Sequence, residues 1–66
     1  MIEVRFIVYT GEAYDAAVEL VQNSLGWLEM TIIDCEAYAE GDPLAEMTAY
    51  FDTEANAMLF RLRQGV

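Results

Sequence analysis

The residues of this sequence whose types could do chemistry are carboxylates and tyrosines, and they crowd into one stretch. Asp34, Glu36, Glu40, Asp42, Glu46 and Asp52 lie within it, with Tyr38 and Tyr50 interleaved. Paired carboxylates do acid–base work only where an enclosed pocket separates their pKa values, and a domain this small encloses little. A dense oxygen cluster such as DCEAYAEGDPLAE could hold calcium, yet it lacks the D-x-[DN]-x-[DN]-G spacing of a calcium loop. The chain has no His, which removes the commonest general base, the commonest zinc ligand and every Ser-His or Cys-His nucleophile. Its four glycines are scattered singly, so no glycine-rich phosphate loop is present. No enzymatic activity, metal site or cofactor is expected. What these residues can do is attract a positively charged partner.

Their positions depend on the elements that carry them. Two apolar-patterned runs, LEMTIIDCEAY and LAEMTAYFD, joined by AEGDP, read as a β-hairpin between Leu28 and Asp52, with turn chemistry from Gly41, Asp42 and Pro43. In the second run Ala45, Met47, Ala49 and Phe51 form an inward set, and Glu46, Thr48, Tyr50 and Asp52 an outward one. In the first run the phase changes: Leu28, Met30 and Ile32 are apolar, then Ile33, Cys35 and Ala37. A bulge at Ile32-Ile33 is therefore expected, keeping one face buried and turning Asp34, Glu36 and Tyr38 outward. Cys35, on the inward phase, reads as a small buried apolar residue and not as a nucleophile.

The flanking segments complete the fold. Ile2, Val4, Phe6 and Val8 alternate with Glu3, Arg5, Ile7 and Tyr9, which predicts a first strand. From Glu12 to Leu25 the spacing is helical, with Ala13, Tyr14, Ala17, Val18, Leu20, Val21, Ser24 and Leu25 on one arc, Thr10 and Gly11 before it and Gly26 after it. A second helix starts at a cap on Asp52 or Thr53, carries an apolar stripe of Ala55, Met58, Leu59 and Leu62 with Phe60 at its border, and stops at Gly65. Arg61 and Arg63 suit its negative end. The order is β-α-β-β-α. A right-handed crossover places strand three between strands one and two, giving an α+β fold with a three-stranded antiparallel or mixed sheet and both helices on one face, a truncated ferredoxin-like arrangement. The outer edge of strand one is left unpaired, so a homodimer through that strand is expected.

With 66 residues, the whole chain, 1–66, is one domain with a small core. Hydrophobic residues at 56% set it apart from disordered acidic tails. Twelve acidic residues against three Arg and no Lys give a net charge of −9, which disfavours direct contact with nucleic acid or an anionic membrane and favours a basic protein surface. The single Cys fits a reducing compartment, and MIEVRF resembles no leader, so a cytoplasmic protein is expected.

The outward sheet face is where charge and aromatic surface meet: Asp34, Glu36 and Tyr38 beside Glu46, Thr48, Tyr50 and Asp52, with Glu3 and Tyr9 from strand one and Glu40 and Asp42 from the loop. Carboxylate and tyrosine together suit an Arg-rich partner, in which ion pairing steers encounter and the rings anchor contact. The plain alternative is a solvated acidic face on a small structural or regulatory homodimer. In size, acidity, lack of catalytic groups and β-α-β-β-α order the chain resembles, as a type, the small phage-encoded anti-CRISPR proteins that imitate nucleic acid. Its ending, FDTEANAMLFRLRQG, is similar to those of short phage proteins. The resemblance implies an inhibitor, acting in the host cytoplasm, whose carboxylates occupy the basic DNA-binding groove of a type I CRISPR surveillance complex.

Overall fold

A computed structural model describes residues 1–36 and 38–64. The elements are β1 (Ile2–Val8), α1 (Gly11–Gln22), β2 (Trp27–Asp34), β3 (Ala45–Phe51) and α2 (Glu54–Arg63). The sheet order is β1-β3-β2, and both outer strands run antiparallel to the middle one. This is the expected α+β arrangement, with β1 and β2 both left as edges.

Local chemistry sets the boundaries. The Thr10 hydroxyl accepts from the Ala13 N–H (3.0 Å) and the Thr53 hydroxyl from the Asn56 N–H (3.2 Å), so each helix begins on a threonine cap. Asn23 closes α1 through its backbone N–H to Glu19 and Val21, and Leu25, included in the helical arc by its spacing, lies beyond the end and is exposed. Gly65, expected to terminate α2, lies outside the described residues, as does Ala37.

β3 alternates without a break, burying Ala45, Met47, Ala49 and Phe51 under the helices. Val4, Val21, Ala49, Phe51, Ala57 and Phe60 form one part of the core, and Val8, Ala17, Ala45 and Met47 the other. Each part joins helix to strand from the same side, so both helices cover one sheet face.

Two expectations are corrected. No bulge occurs at Ile32-Ile33: pairing is regular there, and the irregularity lies between Trp27 and Glu29, with Leu28 as the extra residue. Ile32 therefore stays on the inward phase opposite Met47, whereas Ile33 faces outward opposite Glu46 and is 63% exposed. Cys35 follows Ile33 to the outer phase and is half-buried instead of enclosed. An edge strand has only one neighbour, so neither of its faces is fully covered and two adjacent isoleucines need not share a core. The second correction concerns α2. Its buried side chains are Ala57 and Phe60, while Met58 and Leu62 are 57% and 70% exposed. Phe60 is drawn inward because it fills the space between Phe6 and Phe51, with ring centroids 5.7 and 5.2 Å away.

Candidate functional site

The outer sheet face is built in three rows across β1, β3 and β2. The register places Glu3, Tyr50 and Glu29 in one row, Arg5, Thr48 and Thr31 in the next, and Ile7, Glu46 and Ile33 in the third. Directly opposed side chains in such rows lie about 5 Å apart. Tyr50 is thus flanked by two glutamates, and Glu46 by two exposed isoleucines. The face is mixed, with an exposed Arg5–Glu3 ion pair of 3.2 Å within it. Glu3 was expected on this face, whereas Glu29 was not counted among its residues, although it already stood on the outward phase of its run.

The other chosen residues go elsewhere. Asp34 pairs with Ala45, which puts it on the helix side of the sheet, exposed at the end of β2. The cause is the absent bulge: without a phase change, every residue after Ile32 keeps its original side. Asp52 lies past the end of β3, where its Oδ1 accepts from Asn56 Nδ2 (2.9 Å). That hydrogen bond holds its carboxyl below the ordinary value, outweighing slight burial and aided by bonds from Thr53. Asp52 is engaged in joining β3 to α2. Of the eight residues, only Glu46 and Tyr50 share the outer sheet face.

Glu36, Tyr38, Glu40 and Asp42 gather instead in the β2–β3 connection, residues 35–44. The Cys35 N–H bonds to the Leu44 carbonyl (2.9 Å) and closes its base. Asp42 Oδ2 accepts from the N–H groups of Tyr38 (3.0 Å) and Ala39 (2.9 Å), while the Asp42 N–H bonds back to Ala39 O (3.2 Å). Gly41 sits third in that turn with φ +92°, the left-handed value a type II turn demands there. The Asp42 carboxylate therefore shapes the loop, and Glu40 is carried exposed at its tip. Tyr38, 86% exposed, donates its hydroxyl to Glu36 Oε2, and this bond raises the Tyr38 pKa.

Five carboxylates, Asp34, Glu36, Glu40, Asp42 and Glu46, thus mark one end of an elongated molecule of 37 × 20 × 16 Å. Among the described residues the one ion pair is Arg5–Glu3, so none of these five carboxylates is paired with a basic side chain. Comparison with protein families, characterised proteins and solved structures gave no match. Chemistry must be argued from the residues themselves.

Among the described residues no three Asp, Glu or Cys side chains converge as metal ligands. A groove of about 470 Å³ runs between α1 and the end of α2, lined by Phe6, Val8, Ala13, Ala16 and Arg63 among others. Its walls are mainly small apolar side chains, and the acidic residues of the hairpin take no part in it. Among the described residues no helix is long and apolar enough to cross a membrane.

Proposed function

We propose that this chain is an acidic protein-binding inhibitor that offers its β2–β3 connection to a basic, nucleic-acid-binding surface. The observation that carries the reading is the exposure of Tyr38 among Glu36, Glu40 and Asp42, in a loop whose Tyr38 and Ala39 N–H groups are bound by the Asp42 carboxylate. A field of one sign at one end of a molecule raises the encounter rate with a surface of opposite sign, and an exposed tyrosine supplies contact area once the two meet. In its narrower form the proposal is a phage-encoded anti-CRISPR protein in the host cytoplasm, imitating DNA toward a type I surveillance complex. It binds neither nucleic acid nor membrane itself. Tyr50 and Glu46 extend the contact onto the sheet, and Asp34 and Asp52 contribute only through the field.

The test is affinity capture from a bacterial lysate carrying defence systems, followed by charge reversal. Glu36→Lys, Glu40→Lys and Glu46→Lys together should weaken the captured partner by roughly tenfold or more, because rim charges govern association and desolvated pairs govern dissociation. Asp42 is excluded because its loss would reshape the loop. A control of equal net charge on α1, Glu12→Lys, Asp15→Lys and Glu19→Lys, should cost much less. A larger loss in the control places the contact elsewhere, and full binding by both variants refutes charge-based recognition.

A further inference from the structure

The outer side of α2 is an apolar surface that the monomer does not use. At about 100° per residue, Met58, Leu62, Ala55 and Leu59 span an arc of about 100° centred opposite Ala57 and Phe60. The helix thus has two apolar faces on opposite sides. One is buried in the core, and on the other Met58 and Leu62 are 57% and 70% exposed. In a water-soluble fold the outer side of a surface helix is normally polar, and an exposed apolar stripe marks an interaction surface.

The stripe can pair with a copy of itself. Positions 55, 58, 59 and 62 are symmetric about the midpoint between Met58 and Leu59. A second α2 laid antiparallel across a two-fold axis at that midpoint sets Met58 beside Met58 of the partner copy on one edge of the stripe and Leu59 beside Leu59 of the partner copy on the other, with Ala55 against Leu62 of the partner copy between them. The flanking charges agree with this pairing. In an antiparallel helix pair, residues on one flank meet residues on the same flank of the other helix, and Glu54 and Arg61 share a flank of the stripe. The two-fold brings Glu54 of one copy to within about 3 Å, along the axis, of Arg61 of the other, twice over. Within one helix these residues are seven positions and about 10 Å apart, too far to pair. Among the described residues Arg61 has no ion pair, the single salt bridge being Arg5–Glu3.

We propose that α2 is a self-association surface through which two copies form an isologous dimer, with Met58–Met58, Leu59–Leu59 and Ala55–Leu62 contacts at its centre and Glu54–Arg61 pairs at its rim. This goes beyond the inhibitor reading and does not depend on it. It also differs from pairing along the free edge of β1, because it leaves both sheet edges open. Four side chains from one short helix make a small interface, so the dimer is expected to be weak and to appear with rising concentration.

Sedimentation equilibrium of the 66-residue chain, from micromolar to millimolar concentration, tests this. The wild type should dimerise, and Met58→Glu with Leu62→Glu should remain monomeric while keeping the far-ultraviolet spectrum of the folded chain, both positions being exposed. Glu54→Arg alone and Arg61→Glu alone should each weaken dimerisation several-fold. The double exchange, Glu54→Arg with Arg61→Glu, should recover it, although both changes oppose the helix dipole and a merely structural role would make the double variant worse. A wild type monomeric at millimolar concentration overturns the proposal. So does a dimer that survives Met58→Glu with Leu62→Glu but is lost on Ile7→Pro, which would move association to the edge of β1. Failure of the double exchange to recover dimerisation overturns the antiparallel arrangement.

Discussion

Phe60→Ala should remove a large share of this protein's stability at 25 °C, whereas Leu62→Ala, two residues along the same helix, should leave it almost unchanged. Phe60 is fully buried, and its ring joins α2 to Phe6 of β1 and Phe51 of β3. The largest fully buried side chains are Phe51, Phe60, Met47 and Val21, so truncating Phe60 removes one of four side chains that fill the interior. Phe→Ala substitutions in such sites cost about 3–5 kcal/mol through lost transfer energy and the cavity left behind. A chain of this length has a total stability on the order of 3–10 kcal/mol. Leu62 is mostly solvated, and surface truncations stay within about 0.5 kcal/mol. Urea denaturation at low micromolar concentration, where self-association contributes nothing, measures both. A Leu62→Ala cost equal to that of Phe60→Ala would contradict the placement of the two faces of α2.

Gly26→Ala is expected to cost about 2–3 kcal/mol, for two separable reasons. Gly26 has φ +77°, in the left-handed region that L side chains rarely adopt. A Cβ there would also collide with the Asp52 carboxylate and the Asn56 amide, which bond to each other across the start of α2. The Gly26 carbonyl accepts the Asp52 N–H (3.0 Å), so the backbone cannot move aside without opening the junction of β2, β3 and α2. In an Asp52→Ala background the steric part should shrink and the backbone part remain, lowering the cost of Gly26→Ala by about 1 kcal/mol. Equal costs in both backgrounds would show that the contact with Asp52 contributes nothing.

These positions also show what the sequence could and could not reveal. β3 was legible in full because it is the central strand: both its edges are paired and its helix side is sealed, so polarity alternates without exception. The order of elements followed from it and from the two threonine-capped helices. β2 was misread because it lies at an edge, where Ile32 and Ile33 are both partly exposed and composition carries no record of which faces inward. The bulge fell at Leu28, between the Trp27–Phe51 and Glu29–Tyr50 pairs, where no polarity contrast marks it. In α2 the apolar residues form two stripes, and counting them favours the longer, Ala55 to Leu62. Volume decides otherwise, because only Phe60 reaches between Phe6 and Phe51. The site was legible in composition but not in placement: the acidic stretch was evident, whereas the division between loop, sheet and helix junction depended on the register. Asp42 and Asp52 were counted for their charge, yet their oxygens are engaged in holding local backbone and the Asn56 side chain.

The measurement that bears most directly on function is competition between this chain and DNA for the captured partner. Duplex DNA is titrated onto the partner at fixed low salt, with and without saturating chain, and the titration is repeated as salt is raised. If the acidic connection occupies a DNA-binding surface, the two should exclude each other, the apparent Kd for DNA should rise in proportion to the concentration of chain, and the affinity of the chain should fall steeply with salt. A ternary complex of partner, DNA and chain, with DNA affinity unchanged and chain binding insensitive to salt, would contradict inhibition by DNA mimicry.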